Sequence, residues 1–368
     1  MTELAGRLRV VMVVIDAMPH RHVGPASTPN LWRQAAAGGR APMGALSLPV
    51  SVTYSNHAAF VTGVDPVVTG VHGNHIWSDG GWMPSPKSGP GATTLFERVG
   101  AAGGRSAIVA GDQKLIGQMG GSRADAVWPP DGRLPDGTER CAFGYASDAA
   151  VLSALGGIDL DVDFAVIHLN EPDTTSHLHG PDSPEAIEQY RATDAAYGEV
   201  IAHLADGWDQ TMVLTVSDHD QETITDFTPV ELAAALADVD GIEVTDEGTA
   251  ALIHRSNRTI DDDRLLDDRL VDDRLFDLIR SVDGVEAACA LTPDVWMTWT
   301  EPGRSFGSPP IPIHGQHGSP RCRTQMAIVS GGDSRVANVA RQIERTQPSV
   351  LDWAPMIARL LQLDGAPT

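Results

Sequence analysis

Short apolar segments that lack polar–apolar alternation recur along the chain, and segments with helical periodicity separate them. A segment that is hydrophobic on both faces suits a strand of a parallel sheet that helices cover on both sides. Alternation of such strands with helices predicts a doubly wound α/β fold. The predicted strands are residues 8–17, 105–112, 162–170, 210–220 and 324–332, and two of the predicted helices are residues 27–39 and 183–206.

Residues 223–304 interrupt this alternation. Within them, residues 261–282 repeat a unit of the form DDRL followed by Leu, Val or Phe. Arginine and aspartate staggered around leucine are typical of a solvated amphipathic helix, which we favour over an interaction surface. Predicted strands flank this helix. The chain is thus predicted to have a core of residues 1–222 and 305–368 and a small inserted α+β cap subdomain of residues 223–304.

The net charge of −23 bears on the partners of the chain. It argues against binding of a nucleic acid polymer, whereas local cations, best supplied by metal ions, would still bind a small anionic substrate. The three cysteines are widely separated and form no CxxC pair, so a disulfide framework is not expected. Free thiols indicate a reducing compartment. The N-terminal apolar run is too short to span a bilayer and Asp16 interrupts it. We therefore expect a cytoplasmic protein with no signal peptide and no membrane partner.

Acidic and imidazole side chains cluster at the ends of the predicted strands. They are Asp16 at the end of the first, Asp173 and His177 after the third, Asp218 and His219 at the end of the fourth, and His314 and His317 before the last. Ligands bind outside the carboxyl ends of strands in open α/β sheets, so we expect these residues to meet in one crevice with Thr53, at another strand-to-helix junction. Mixed histidine and carboxylate ligands suit zinc, with Mn²⁺ or another divalent transition ion as the alternative. Six ligands and an oxygen nucleophile are about what a two-metal phosphoryl-transfer site needs.

The motifs around these residues resemble those of one superfamily. They are VVIDA (Asp16), SVTYSNH (Thr53), GVHGN (Asn74), EPDTTSHLHGP, SDHD and HGQHG. Together they are similar to the motifs of the alkaline phosphatase superfamily, specifically its nucleotide pyrophosphatase/phosphodiesterase-like branch, over most of residues 8–222 and 305–363. The resemblance implies a three-layer α/β/α sandwich with a mostly parallel central sheet.

The same resemblance implies a role for each matching position. Thr53 would be the nucleophile and would lie between two zinc ions as a ligand. Asn74 and the main-chain N–H of Tyr54 would donate to phosphate oxygens. The implied protein ligands are Asp173, His177 and His317 for one ion and Asp16, Asp218 and His219 for the other.

Several neighbouring residues are not covered by that pattern. Ala17 and Asp220 stand where the superfamily usually has glycine. For Asp220 we favour a hydrogen bond from its side chain to a ligating histidine over simple replacement of the glycine. Ser55 and Asn56 are predicted to cap the helix behind the nucleophile, and His57 is predicted to be structural.

The expected activity is two-metal hydrolysis of a phosphoester in a small phosphorylated metabolite or nucleotide, through a phosphothreonine. Diester, pyrophosphate and monoester substrates all stay open. Lys114 is expected either to bind a second anionic group of the substrate or to be a surface lysine. His314 is expected to support a ligand or face the substrate rather than bind metal.

Two other functions stay open. A phosphonate (C–P) hydrolase of the phosphonoacetate hydrolase type looks similar around Lys114, but only one lysine is present there. A non-catalytic phospho-ligand-binding homologue would be favoured by missing ligands, and every expected ligand is present. Threonine at the nucleophile position disfavours a sulfatase. The sequence decides neither the natural substrate nor the oligomeric state, so a homo-oligomer also stays open.

Overall fold

The computed structural model describes residues 7–256, 265–307 and 311–363, without the side chains of residues 265–272. Its strands are β1 (Arg9–Ile15), β2 (Gly39–Arg40), β3 (Ala45–Leu46), β4 (His75–Ser78), β5 (Gly81–Pro84), β6 (Ser106–Ala110), β7 (Ala126–Trp128), β8 (Phe164–Leu169), β9 (Thr211–Val216), β10 (Glu222–Thr223), β11 (Ile242–Glu247), β12 (Ala250–Arg255), β13 (Val285–Ala290), β14 (Val295–Thr300), β15 (Gly315–Gln316), β16 (Thr324–Gln325) and β17 (Ala327–Gly331). Its helices are α1 (Pro29–Ala37), α2 (Thr53–Thr62), α3 (Pro66–Thr69), α4 (Leu95–Ala101), α5 (Leu115–Gln118), α6 (Asp148–Leu155), α7 (Glu171–His179), α8 (Pro184–His203), α9 (Leu232–Ala235), α10 (Leu265–Ser281), α11 (Val336–Arg345) and α12 (Trp353–Leu360). None of these described helices combines the length and the apolar composition that crossing a membrane requires.

Strand β1 shows why the core has three layers. Every one of its residues is buried, because helices cover both faces of the sheet. Val10 and Val14 belong to an apolar cluster that includes residues of α2, α4 and α12. Val11 and Ile15, on the opposite face, belong to a second cluster with residues of α1 and α8. Successive residues of one strand therefore contribute to two separate cores, as expected from the alternation of side chains in a strand.

The central sheet has the strand order β2-β17-β9-β1-β8-β6-β7. Strands β9, β1, β8, β6 and β7 run parallel to one another. With helices on both faces, this confirms the predicted α/β/α sandwich with a mostly parallel sheet. Strand β17 is antiparallel to β9, and β2 is antiparallel to β17.

The reversed direction of β17 does not follow from the sequence pattern, and it matters for the site. An antiparallel strand begins at the sheet edge where its neighbours of opposite direction end. The segment before β17 therefore reaches the edge at which β1, β8 and β9 end. A parallel β17 would carry that segment, with His317, to the opposite edge of the sheet.

A second, antiparallel sheet lies within the range predicted for the inserted subdomain, in the strand order β11-β12-β14-β13. Helix α10 packs on it, because Leu275 and Ile279 share an apolar cluster with Trp296 of β14. The predicted helix of residues 261–282 starts before α10, and residues 261–264 lie outside the described residues. The domain boundaries themselves stay a prediction.

The second sheet also contacts the core beside the N-terminus of α2. Leu252 of β12 and Met297 of β14 belong to an apolar cluster with Val50 and Val52, which precede the helix. The tight turn between β11 and β12 lies against the segment that carries His317, since the N–H of Thr249 donates to the His317 carbonyl at 2.8 Å. This sheet therefore borders the crevice in which the predicted site residues lie.

Candidate active site

The polar residues predicted from the strand ends lie together at one edge of the central sheet. Asp16 follows β1 directly, Asp173 is in the first turn of α7 after β8, and Asp218 closely follows β9. Because β8, β1 and β9 are neighbours in the sheet, their carboxyl ends bring these side chains into one crevice. Thr53, the first residue of α2, and His317, before β17, complete the set.

Asp16, Asp218 and His219 form a first group, in which one ligand atom from each lies within 4.8 Å of the others. His219 Nε2 is 3.3 Å from Asp218 Oδ2 and 3.7 Å from Asp16 Oδ1. Asp16 Oδ2 accepts a hydrogen bond from His168 Nε2–H at 3.1 Å, and Asp218 Oδ1 accepts one from the Ala17 N–H at 3.1 Å. Asp16 Oδ1 and Asp218 Oδ2, however, are buried and accept no hydrogen bond. Bare buried carboxylate oxygens are unfavourable, so this group fits a divalent cation.

Asp173, His177 and His317 form a second group. Asp173 and His177 are one turn apart in α7, which places them on one helix face, and His177 Nε2 lies 3.3 Å from Asp173 Oδ1. His317 Nε2 lies 3.9 Å from the same oxygen. Both histidines donate Nδ1–H to main-chain carbonyls, at 2.8 and 3.1 Å, which leaves Nε2 free to bind a metal. The ligand atoms that lie within 4.8 Å of one another here come from Asp173, His317 and His219, and not from His177, so His219 stands between the two groups.

The two groups differ in their electrostatics. Burial, reinforced by the neighbouring carboxylates, raises the pKa of Asp16 well above its ordinary value. Burial also opposes ionisation of Asp173, but the adjacent imidazoles outweigh it and lower the pKa of that carboxyl. Burial and the neighbouring imidazoles lower the pKa of His317 well below its ordinary value. The lowered pKa of His317 favours its neutral form, which is the form of histidine that binds metal ions.

Thr53 stands at the N-terminus of α2, with its Oγ1 3.3 Å from His219 Nε2. The prediction that Ser55 and Asn56 cap this helix is wrong, because both lie within α2 and the N-cap residue, Val52, makes no side-chain cap hydrogen bond. Their side chains instead bond main-chain groups of residues 48–52. The helix therefore begins at the site without a side-chain cap, as in helix N-termini that bind anions.

Two buried histidines lie behind the site. The Nδ1–H of His57 donates to the Thr53 carbonyl at 2.8 Å, and its ring meets that of His168 edge to face. His168 was not singled out by the motifs. Its Nδ1 accepts the N–H of Asp112 at 3.4 Å, so Nε2 carries the proton that is donated to Asp16. The only signal for His168 in the sequence is a polar residue inside the otherwise apolar β8.

The two positions where the superfamily usually has glycine differ in structure. Ala17 adopts a left-handed backbone with φ of 52°, which costs a non-glycine residue about 1–2 kcal/mol. The Asp220 carboxylate contacts Arg21 at 2.5 Å and the N–H of Gln221 at 2.7 Å. The favoured interpretation of Asp220 is therefore wrong, since its main-chain carbonyl, at 3.2 Å, and not its side chain, contacts His219 Nδ1.

A cavity of about 360 Å³ opens over the two groups, and Lys114 lines it. The Lys114 ammonium lies 3.4 Å from the Tyr145 hydroxyl and 5.9 Å from the centre of the Tyr54 ring. Asp112 fixes this arrangement, because it accepts hydrogen bonds from the Tyr54 hydroxyl at 2.9 Å and from the main-chain N–H of Lys114 at 2.8 Å. The position of Lys114 supports a substrate contact over a simple surface lysine.

The two donors that the resemblance assigns to phosphate oxygens are bonded to each other. The N–H of Tyr54 donates to Asn74 Oδ1 at 3.0 Å. Both residues line the cavity with Thr53. Within the described part of the chain, His314 does not line this cavity, and its ring packs against Phe227 instead.

Asp148, a residue that the motifs did not indicate, positions the helix that carries Asp173 and His177. It is 4% exposed, and its carboxylate accepts the N–H groups of Asn170 and Glu171 at the start of α7 and the hydroxyl of Thr193. Burial raises the pKa of Asp148 to about 6. The folded state then binds the proton of Asp148 more tightly than the unfolded chain does. The protonated carboxyl therefore stabilises the fold below about pH 4, and this contribution is lost as the pH rises to about 6.

Replacement of Asp148 with asparagine is expected to remove this pH dependence, because the amide retains an acceptor and does not ionise. From pH 4 to pH 7, the free energy of unfolding of Asp148→Asn should rise relative to wild type by about 2–3 kcal/mol. Urea unfolding of both proteins across this pH range measures the difference. Parallel pH profiles for the two proteins would contradict the assignment.

Comparisons with known protein sequences extend this description. A family model described as type I phosphodiesterase / nucleotide pyrophosphatase matches residues 10–305. Ectonucleotide pyrophosphatase/phosphodiesterase family member 1 of Mus musculus is 26% identical over 207 residues, which are 52% of this chain and 21% of the mouse protein. Family member 7 of Homo sapiens is 38% identical over 69 residues, which are 17% of this chain and 14% of the human protein. The matched regions thus span about a fifth or less of these relatives.

Solved structures resemble the fold over nearly the whole chain. An inactive variant of murine ectonucleotide pyrophosphatase/phosphodiesterase 5 in complex with AMP has a TM-score of 0.71 at 15% identity, covering 98% of this chain and 96% of that one. Phosphonoacetate hydrolase from Sinorhizobium meliloti 1021, in complex with phosphonoformate, has a TM-score of 0.69 at 16% identity, covering 97% and 96%. At these identities the similarity concerns the fold alone.

Proposed function

The chain belongs to the type I phosphodiesterase / nucleotide pyrophosphatase family, and from this premise we propose that it is a metal-dependent phosphoester hydrolase with Thr53 as its nucleophile. The observation that carries the proposal is the position of Thr53 Oγ1, 3.3 Å from His219 at the start of α2, beside two groups of carboxylates and imidazoles. The family supports a phosphodiester or pyrophosphate bond ahead of a monoester.

Two divalent cations complete the proposal, with Zn²⁺ as the first candidate and Mn²⁺ as the second. The groups that would hold them are Asp16, Asp218 and His219 for one and Asp173, His177 and His317 for the other, with Thr53 between. Support comes from the carboxylate oxygens of the first group that lack a hydrogen-bond partner, and from His177 and His317 of the second, whose Nδ1–H groups are held by main-chain carbonyls. Such ions, when bound, act as Lewis acids that activate a hydroxyl and offset the charge of a phosphoryl group.

The protein's own residues would act on the phosphoryl group as follows. Thr53 Oγ1 loses its proton and forms a bond to phosphorus, while the leaving oxygen departs and takes up a proton; water then attacks the phosphothreonine, which releases the phosphate group and restores the hydroxyl. Asn74 donates from its amide to a non-bridging oxygen, and the N-terminus of α2 favours the negative charge that develops there. The N–H of Tyr54 joins them once the substrate displaces Asn74 Oδ1, its present acceptor.

A small phosphorylated metabolite or nucleotide is the proposed substrate class. A cavity of about 360 Å³ supports this class, and the net charge of −23 argues against a nucleic acid polymer. All three cysteines are free, which supports the prediction of a reducing, cytoplasmic compartment.

A panel of phosphorus compounds tests the proposed function. The protein, supplied with Zn²⁺ or Mn²⁺, is assayed with bis-p-nitrophenyl phosphate, p-nitrophenyl phosphate, ATP and phosphonoacetate. We expect metal-dependent turnover, with the diester or ATP ahead of the monoester. Turnover of phosphonoacetate, with release of phosphate, and of no other compound in the panel would instead identify a phosphonate hydrolase. The position of Lys114 in the cavity gives this alternative some support. Metal and ligand binding without turnover of any compound would favour a non-catalytic homologue.

A further inference from the structure

A buried carboxylate of the second sheet holds the loop that carries Asn74. Glu247 ends β11, and its side chain is 0% exposed. It accepts the main-chain N–H of Asn74 at 2.8 Å, the main-chain N–H of His75 at 2.9 Å and the Nδ1–H of the His75 ring at 2.9 Å. The preceding residue, Gly73, has no room for a side chain, because a Cβ there would lie 2.8 Å from the Glu247 carboxyl carbon. The loop and the carboxylate are thus packed in direct contact.

The charge of Glu247 explains the state of the His75 ring. A buried carboxylate is unfavourable unless a cation or several donors compensate it. Among the described residues, no lysine or arginine forms an ion pair with Glu247, and His75 is its ionisable partner. The hydrogen bond to Glu247 raises the pKa of His75. The Nδ1 edge of the ring therefore stays protonated and fixed on Glu247.

The opposite edge of the same ring is available to a ligand. The His75 side chain is 35% exposed, and it lines the active-site cavity together with Asn74 and Lys114. Among the described residues, the hydrogen bond of the ring is made by Nδ1, to Glu247, which leaves Nε2 for a ligand. With Nδ1–H bonded to Glu247, Nε2 is an N–H donor in the doubly protonated ring, the form that the Glu247 carboxylate and an incoming anion both stabilise.

We propose that His75 is a specificity-determining residue, which donates its Nε2–H to a second anionic group of the substrate beside the scissile phosphoryl group. The inference rests on the proposed phosphoester hydrolysis and names its substrate class: phosphorus compounds with an adjacent phosphate or carboxylate. Because Asn74 and His75 are consecutive and one carboxylate binds both, the two donors keep a fixed separation. That separation suits anionic groups that are neighbours in the ligand. Glu247 acts through His75 and is a positioning residue.

Binding of three small anions by the zinc-loaded protein tests this role without requiring turnover. Methylphosphonate carries one anionic group, methylenediphosphonate adds a second phosphonate, and phosphonoformate adds a carboxylate. We expect wild type to bind one or both of the latter two more tightly than methylphosphonate in isothermal titration calorimetry. His75→Gln should weaken that tighter binding about tenfold or more, as for loss of a charge-assisted hydrogen bond. Its affinity for methylphosphonate should stay within about twofold.

The pattern of losses decides the proposal and identifies the second anion. The probe with the larger loss shows whether that group is a phosphate or a carboxylate. Equal losses for all three probes would assign His75 a purely structural role, and unchanged affinities would exclude it from the site; either result overturns the proposal. His203→Gln, on the exposed end of α8, is the control and should bind all three probes like wild type.

Turnover of the p-nitrophenyl esters separates this inference from the proposed function. If wild type turns over the esters but His75→Gln shows no selective loss of affinity for the two probes with a second anionic group, the specificity role is refuted and the hydrolase assignment stands. A selective loss without any turnover would support the anion contact and contradict hydrolysis.

Discussion

Thr53→Ala is expected to lower kcat for the best ester substrate by about 10⁴-fold or more, since removal of a catalytic nucleophile costs losses of this order. The zinc content should stay at the wild-type value, because the imidazole and carboxylate ligands of both groups remain. Thr53→Ser, which keeps a hydroxyl at the start of α2, should retain measurable turnover. Initial rates and elemental analysis of the three proteins measure these effects.

Thr62→Ala is the matched control for the nucleophile. Thr62 is the last residue of the same helix, and its hydroxyl bonds the Ala58 carbonyl at 2.8 Å, away from the site. Its turnover should stay within about twofold of wild type, since the hydroxyl contacts no site residue. Wild-type kcat in Thr53→Ala would contradict the nucleophile assignment, whatever the control shows.

Asp218→Asn is expected to produce the second large effect. With metal supplied, the variant should lose metal binding and turnover, and without metal it should gain stability. Loss of the carboxylate should abolish stoichiometric binding of the first ion and lower turnover by about 10²-fold or more, since weakening even the partners of metal ligands costs 10–100-fold. Without metal, the variant should be more stable than wild type by about 2 kcal/mol, because it removes one of two buried, closely spaced carboxylates. The raised pKa of Asp16, caused by burial and by the charge of Asp218, reflects the same repulsion.

Urea unfolding with and without zinc, together with elemental analysis, checks both effects. Asp220→Asn serves as control, because the Asp220 side chain bonds Arg21 and the N–H of Gln221 rather than His219. It should bind two equivalents of zinc. A metal-free Asp218→Asn protein that is less stable than wild type would show that the carboxylates are not in unfavourable contact.

The fold and the position of the site could be predicted because both depend on local patterns. The unbroken apolar run of β1 indicates a strand buried on two faces, and Asp16 directly follows it. Parallel strands end at one sheet edge, so residues as distant in sequence as Asp173 and Asp218 meet there. The reversal of β17, which brings His317 to that edge, depends on tertiary pairing with β9 and leaves no local pattern.

The supporting contacts of the site could not be predicted for a related reason. Ser55 and Asn56 have the residue types of helix caps, but they bond the main chain of the preceding segment, which the sequence does not place beside them. His168 reads as one polar interruption of an apolar strand. Glu247 lies far along the chain from Asn74, in a sheet whose contact with the core no motif records. Such partners appear only when the chain is folded.

Anomalous diffraction at the zinc edge, from crystals grown with Zn²⁺, tests the central claim most directly. The account predicts two zinc peaks, one against Asp16, Asp218 and His219 and the other against Asp173, His177 and His317, with Thr53 next to both. A single peak, or zinc bound elsewhere while these groups stay empty, would contradict it.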